Sequence, residues 1–256
     1  MADELNAAQG ELSLTSDDSS LYWPNIRSLL IARGRADSAI LKTRRPDDGS
    51  TVLIETRGLA EQSDPQAQNA FGNLLCSLAD ELSERRWEGF ENAGAALQEQ
   101  QDLYYAEAVL WYRKAIAQNH ADAMVSLANL YNKGGGVAED LNEALKLWRA
   151  AAEQGHAEGQ HMLGLHYSVG KGVPQDFSEA SKWLRKSAEQ GDAWAQYDLA
   201  VVCAVCKDFD EATDWLRKSV EQQFDEAKKF LARLYREGKI VPLDETEAQK
   251  WIALKS

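Results

Sequence analysis

Residues 157–192 read AEGQHMLGLHYSVGKGVPQDFSEASKWLRKSAEQGD, and similar copies of this 36-residue unit stand before and after it. Four copies align, at residues 121–156, 157–192, 193–224 and 225–256. Three columns keep one side-chain type: small residues at Ala123, Gly159, Ala195 and Ala227, leucine at Leu127, Leu163, Leu199 and Leu231, and small residues again at Ala128, Gly164, Ala200 and Ala232. A fixed period of this size is typical of helical repeats that stack into a solenoid.

Each unit predicts two helices joined by a tight turn. In the second copy, the apolar spacing favours helix A at about residues 157–169. Residues 170–176 indicate a turn, because their glycines tolerate positive φ and their proline cannot continue a helix. Helix B is expected at about residues 177–190, ending before Gly191.

A column of large side chains recurs on helix B, three residues after an alanine that follows a glutamate in each unit. Its members are Trp111, Leu147, Trp183, Trp215 and Trp251. Leu147 breaks the tryptophan series, but Trp148 stands beside it. We predict that this column packs between neighbouring units, and that truncating a buried tryptophan costs roughly 3–5 kcal/mol.

The small residues of helix A, the glycine-proline turn and the tryptophan of helix B together resemble the Sel-one-like repeat family, a relative of the tetratricopeptide repeats. The resemblance covers residues 121–256. It implies an all-α fold, a right-handed α-α superhelix of helix-turn-helix repeats. It also implies a concave protein-binding surface lined by the A helices, and no intrinsic catalysis.

The pattern weakens toward the N-terminus. Residues 1–20 are acidic and rich in serine, which predicts a flexible tail. Residues 21–64 are interpreted as a degenerate opening repeat or cap, and residues 65–120 as a divergent repeat with a long insertion. A rival interpretation places a β-hairpin at residues 40–45 and 51–56, around an Asp-Gly turn.

The composition argues against several classes of function. The net charge of −13 and isoelectric point near 4.8 disfavour nucleic-acid binding, since phosphate neutralisation needs a basic surface. No stretch approaches the roughly 20 apolar residues of a membrane span. The N-terminus lacks the apolar segment of a signal peptide, and three cysteines are too few for a disulfide framework. We therefore expect a cytoplasmic protein.

No constellation of residues predicts catalysis, a metal or a cofactor. Cys203 and Cys206 share a helical face, but no second ligand pair accompanies them, and Cys203 falls in a column that other repeats fill with tyrosine. His161 and His166 are five residues apart, so their side chains diverge around the helix. We therefore predict that Cys203 fills the core and that the protein is not an enzyme.

The resemblance places positions 2, 5, 9 and 12 of helix A on the concave surface. The candidate partner-binding residues at these positions are Asn129, Asn132, His161, Leu165, Trp194, Tyr197, Val201, Lys229, Arg233 and Arg236. Three of them form an aromatic and apolar group on one helix, and the last three form a basic row suited to a carboxylate-bearing partner. Two other interpretations stay open: Trp194 packs against the next unit, and the basic row is a solvated end face.

The predicted function is a non-catalytic scaffold that binds another protein or a peptide. The resemblance admits bacterial adaptor, secretion-associated and toxin-immunity roles. Two alternatives are a hydrolase-like enzyme on a repeat scaffold and a structural homo-oligomer. A second candidate surface is the basic stretch at residues 24–58, with seven basic residues against four acidic ones.

Overall fold

Within residues 49–87 and 94–240, which the computed structural model describes, every regular element is an α-helix. In chain order the helices are α1 Gly49–Glu61, α2 Pro65–Trp87, α3 Gly94–Ile116, α4 Ala121–Lys133, α5 Leu141–Glu153, α6 Ala157–Val169, α7 Phe177–Glu189, α8 Ala193–Val205, α9 Phe209–Glu221 and α10 Asp225–Arg236. The predicted fold class, an all-α solenoid of helix-turn-helix repeats, is confirmed.

The chain divides into two compact units, residues 1–123 with 135–137, and residues 124–134 with 138–256. In the first unit, α1 packs on α2 and α2 packs on α3. In the second, each helix from α5 to α10 packs on the next one in chain order, and α6 also contacts α8. The A helices α6 and α8 therefore lie side by side.

The first unit differs from the second mainly in helix length. Helices α2 and α3 each contain 23 residues, whereas α4 contains 13. Of the rival β-hairpin, residues 51–56 lie within helix α1, and residues 40–45 fall outside the described residues. The division at residues 1–20, 21–64 and 65–120 stays a prediction.

The turns between helices A and B are built from caps written in the repeat. The carboxylate of Asp176 accepts hydrogen bonds from the backbone N–H groups of Ser178 and Glu179, which have no partner within the helix. Asp140 caps α5 in the same way. At the other side of the turn, Gly170 ends α6 with a left-handed φ of 71°, a conformation that favours glycine.

The small and leucine columns form the core. Among the leucines, Leu163, Leu199 and Leu231 are fully buried. A Cβ atom on Gly164 would lie 2.7 Å from Cγ of Leu184 on the following helix. The small-residue column that contains Gly164 therefore exists because helix B of the same hairpin approaches the backbone of helix A this closely. At Gly159, in the other small-residue column, a Cβ atom would instead meet Ala151 of the preceding helix B at 3.0 Å.

Burial of the tryptophan column differs between repeats: Trp111 and Trp215 are buried. Trp183 is partly exposed, and the lysine three residues later lies over the ring, with Nζ of Lys186 4.1 Å from its centroid. The most buried column stands one residue further along helix B, at Tyr112, Trp148, Leu184 and Leu216. The prediction that the tryptophan column packs between units stays a prediction, and Trp251 lies outside the described residues. One step along a helix turns a side chain by about 100°, which points this second column toward the core.

A ladder of buried glutamines, which the sequence interpretation missed, joins successive repeats. The amide Nε2 of Gln196 donates to the carbonyl oxygen of Ala188 at 3.2 Å, and Oε1 of Gln196 accepts from Gln222 at 2.9 Å. Gln160 makes the equivalent bonds to Ala152 and from Gln190. Each glutamine thus satisfies a carbonyl near the end of the preceding helix B.

Candidate functional site

The most exposed large aromatic side chain in the described residues stands at the start of α8. Trp194 is 58% exposed, although its helix is otherwise well packed. Its indole ring meets the edge of Phe224, with ring centroids 4.5 Å apart. Trp194 therefore contacts the segment that precedes α10, and its remaining surface faces solvent. The alternative that Trp194 only packs against the next unit describes part of its surface and leaves more than half uncovered.

The contact between Trp194 and Phe224 continues into a chain of aromatic rings. Tyr197 lies 5.5 Å from Phe224 and 6.1 Å from Phe230 between ring centroids. The guanidinium of Arg233 lies over Phe230, 4.6 Å from the ring centroid. We call Trp194, Tyr197, Phe224, Phe230 and Arg233 the aromatic strip. It runs from the first turn of α8 to the third turn of α10.

Tyr197 stands near the middle of this strip. Burial raises the pKa of its phenol, and the charge of Asp198 reinforces the shift, while Arg233 opposes it. The phenol is therefore neutral at physiological pH, and it offers both a donor and an acceptor. Val201, one turn further along α8, is partly buried and packs against the core below the strip.

The basic row continues the strip along α10. Lys229, Arg233 and Arg236 are exposed and lie at i, i+4 and i+7, so they share one helical face. Arg233 approaches Glu237 at 4.0 Å, and both side chains are largely exposed, so this ion pair contributes little. Arg236 donates through Nε to the carbonyl of Ala232 at 3.2 Å.

His161 joins α6 to α8 instead of standing free in a groove. Its Nε2 lies 2.7 Å from Oδ2 of Asp198, and its Nδ1 lies 3.9 Å from Oδ2 of Asp192. Burial disfavours the charged imidazolium, but the hydrogen bond and charge of Asp198, with smaller effects of Asp192 and Glu158, raise the His161 pKa above its ordinary value. The imidazolium is thus held between two carboxylates.

The remaining candidates on α4 and α6 are partly buried, and one of them is hydrogen-bonded to neighbouring side chains. Asn129 accepts from the indole Nε1 of Trp148 at 3.3 Å and donates to Glu158 at 3.1 Å. Asn132 has a buried amide oxygen without a hydrogen-bond partner among the described residues. Leu165 is partly buried. The structure therefore links Trp194, Tyr197 and Arg233 through the rings of Phe224 and Phe230, but shows no contact between them and the two asparagines.

Two members of the strip, Phe224 and Phe230, were missed because the predicted surface used only four positions of each helix A. Phe224 precedes α10 at its N-cap position and provides no side-chain cap. The same position of the earlier repeats holds His120, His156 and Asp192, whose side chains accept from the next helix. A phenylalanine in a column of capping residues is a signal that could have been found in the sequence.

The cysteines do not form a reactive pair. Cys203 is buried as predicted, and burial, together with the charge and a hydrogen bond of Glu211, raises the pKa of its thiol to about 12. Such a thiol stays protonated at neutral pH and is a poor nucleophile. Cys206 is exposed at the end of α8.

Two further searches cover the part of the chain that the structure describes. No three His, Cys, Asp or Glu side chains there are grouped so that they could hold a metal ion. None of the helices in these ranges combines the length and apolar character needed to cross a bilayer.

Comparison with known proteins agrees with this architecture. The profile described as Sel1 repeat matches residues 99–120, 121–156, 157–192, 195–224 and 225–254. The crystal structure of a Sel1 repeat protein from Oxalobacter formigenes is 27% identical, with a TM-score of 0.57 over 78% of this chain and 82% of the other. No curated protein matches.

A second solved structure shows the same fold. It is a protective antigen present in uropathogenic Escherichia coli strains, which displays an SLR fold, and it is 21% identical with a TM-score of 0.53. The match covers 78% of this chain and 55% of that antigen, so the chain spans about half of its length. The profile match extends over more than half of the sequence, and the chain therefore belongs to the Sel1-repeat family.

Proposed function

We propose that this chain is a non-catalytic scaffold that binds a protein or peptide partner on the aromatic strip. Sel1 repeats commonly mediate protein–protein interactions and are generally non-catalytic. The observation that supports this particular surface is the 58% exposure of Trp194 on a base of other aromatic rings. Tryptophan held in this way is enriched among residues that dominate binding free energy.

The surroundings of Trp194 favour binding over simple packing. Phe224 and Tyr197 hold the rings in contact, so the surface loses little conformational freedom when a partner covers it. Other exposed apolar residues, such as Val169 and Val205, are smaller. Single exposed aliphatic residues are normal on protein surfaces, whereas an exposed tryptophan supported by other rings is typical of a binding hot spot.

The experiment is a selection of short random peptides, displayed on phage, on the immobilised full chain. The selected peptides are then titrated against the Trp194→Ala variant, and Val205→Ala serves as the control, because it removes another exposed side chain from the same helix. We expect affinity to fall about thirtyfold for Trp194→Ala, which corresponds to a residue worth about 2 kcal/mol. Val205→Ala should bind as the wild type does.

Equal binding to both variants, with unchanged far-ultraviolet circular dichroism, would contradict the assignment of this surface. Light scattering of the same variants tests the alternative of a homo-oligomer. If the wild type self-associates and Trp194→Ala does not, the partner on the strip is a second copy of the chain.

A narrower proposal concerns the biological setting. We infer that the partner belongs to a bacterial system, as an adaptor, secretion-associated or toxin-immunity role would require. The support is the bacterial source of both similar solved structures. Co-expression with the products of neighbouring genes, followed by binding assays with Trp194→Ala as the control, tests it. A toxin gene next to this one whose product is not bound would argue against the immunity role.

A further inference from the structure

We propose that the aromatic strip and the basic row together recognise an acidic segment of the partner that carries one apolar anchor residue. This inference rests on the proposed function and adds the chemistry of the partner. The apolar anchor covers Trp194, and acidic side chains meet the basic row of Lys229, Arg233 and Arg236. The argument combines an unusual capping position, a continuous ring contact and a local reversal of charge.

The position of Phe224 indicates which part of the surface binds the apolar anchor residue. A polar residue at an N-cap stabilises a helix by roughly 1 kcal/mol, and Phe224 forgoes this contribution at the start of α10. The side chain instead packs against the core of the second unit and contacts the rings of Trp194 and Tyr197. Local rules are often broken at functional sites. Phe224 thus gives up a cap and supports the exposed ring of Trp194 from below.

The charge of α10 indicates which part of the surface binds the acidic side chains of the partner. The whole chain carries a net charge of −13, yet its helix α10 presents three exposed basic side chains in one row. Lys229 makes no ion pair within the described residues, and the partner of Arg233, Glu237, is exposed and 4.0 Å away. Asp225 pairs with Lys228 at 2.8 Å, and the helix as a whole carries four basic and two acidic side chains.

The basic row and the aromatic strip form one continuous surface. Arg233 belongs both to the basic row and to the aromatic strip, because its guanidinium lies over Phe230. A single short segment can therefore touch Trp194 and the guanidinium without crossing an unrelated surface. The basic row spans about 10 Å along the helix axis. Alternate residues of an extended segment are about 7 Å apart, so two acidic residues at j and j+2 fit this row.

The test uses the peptides whose binding depends on Trp194, and it asks whether they are acidic. We expect Asp and Glu to be enriched relative to the unselected library, with one apolar residue nearby. The double variant Lys229→Gln/Arg233→Gln should lower their affinity about tenfold, because two charge-assisted contacts are lost. The control Lys171→Gln/Lys207→Gln removes the same charge from exposed sites elsewhere and should leave affinity unchanged.

Salt and a cap variant provide two further readouts. Raising sodium chloride from about 0.05 M to about 0.5 M should weaken binding to the wild type more than to the double variant, because exposed charges are screened. Phe224→Ser introduces a capping side chain and removes the ring. We expect it to keep the wild-type circular dichroism spectrum and to bind these peptides about tenfold more weakly.

The outcomes separate the two proposals. Trp194-dependent peptides without acidic enrichment, or with equal affinity for the double variant and its control, would overturn this inference and leave the scaffold function intact. Wild-type affinity in Phe224→Ser would also overturn it. If no selected peptide depends on Trp194, the proposed function and this inference both fail.

Discussion

At the scale of single residues, glycine at position 164 sets the distance between two helices. A Cβ atom there would lie 2.7 Å from Cγ and 3.0 Å from the backbone nitrogen of Leu184. Backbone atoms cannot rotate away, so α7 itself would have to shift. The close approach of α6 and α7 thus depends on the missing side chain.

We expect Gly164→Ala to lower the free energy of unfolding by about 1–2 kcal/mol, although alanine is the better helix former by about 1 kcal/mol. The matched control is Gly58→Ala in α1, where an added Cβ meets no atom within 4 Å. That variant should gain about 0.5–1 kcal/mol. Urea unfolding measures both, and a stabilised Gly164→Ala would show that α7 can move away at little cost.

The glutamine ladder leads to a second expectation at this scale. Gln196→Ala leaves the carbonyl of Ala188 without its side-chain donor in a buried environment, so we expect a loss of about 1–3 kcal/mol. Gln196→Met fills the same space and imitates Met124, which occupies this position in an earlier repeat and accepts from Gln154. If Gln196→Met is as unstable as Gln196→Ala, the lost hydrogen bond outweighs the restored packing. Chemical denaturation of both variants distinguishes them.

Which residues were predictable depends on whether the repeat itself carries their role. Leu163, Leu199 and Leu231 follow from the period, because a buried position recurs in every unit. The ladder was missed because a buried polar side chain is explained only by a partner in another helix, which spacing does not show. Phe224 was missed because the predicted surface used only positions within helix A, although its break with the column of capping residues is visible in the sequence. Its contact with Trp194 is known only from the folded chain.

At the scale of secondary-structure elements, the hydrogen bond between His161 and Asp198 fastens α6 to α8. The pKa of His161 is raised in the native state, so the native protein binds this proton more tightly than the unfolded chain does, and protonation stabilises the fold. This contribution is complete below the ordinary histidine pKa of about 6.5. It is lost as the pH rises from there through the raised native pKa.

We therefore expect His161→Gln to destabilise the protein most in mild acid and progressively less toward alkaline pH, when unfolding free energy is measured across this range. His166 provides a control of opposite sign. Burial lowers the His166 pKa despite its hydrogen bond to the carbonyl of Lys171, so its contribution is present above the ordinary pKa and lost as the pH falls through the native one. If the difference in unfolding free energy between His161→Gln and the wild type does not change with pH, the charge of His161 does not stabilise the contact between α6 and α8.

Element boundaries were predictable where caps repeat. Helix α6 covers the predicted residues 157–169, and α7 ends one residue before the predicted limit. The burial of helix B was less predictable. The period locates a large side chain at Trp183, but whether this residue or the adjacent Leu184 faces the core depends on helix rotation, which a difference of one residue does not resolve.

At the scale of the whole molecule, a repeat protein derives its stability from each repeat and from contacts between neighbours. Leu199 is fully buried in α8, so Leu199→Ala should cost about 3 kcal/mol. We expect hydrogen exchange with mass spectrometry to show faster exchange in α8 and its packing partners α7 and α9, and no change in α2 and α3. The exposed Leu110 provides a control variant that should have no effect.

An equal increase of exchange in both compact units would contradict this expectation, since it would mean that the chain unfolds as one cooperative body. The fold class was predictable from one 36-residue period, because each unit must bury its apolar face against the next. The partner-binding surface was only partly predictable. Trp194 and Arg233 were recognised, but the rings that join them belong to positions outside the repeat rule.

The ladder of Gln160 and Gln196 has a consequence for how such a gene can change in length. Each of these two glutamines accepts a hydrogen bond from the glutamine at the end of its own hairpin. It donates one to the carbonyl of an alanine at the end of the preceding hairpin. Excision of residues 157–192 would bring Gln196 to Ala152 in place of Ala188, with the same donor and acceptor. Duplication or loss of residues 157–192 therefore keeps these donors and acceptors paired. A shorter turn is compatible with the ladder as well, since the 32-residue unit 193–224 retains the bond between Gln222 and Gln196.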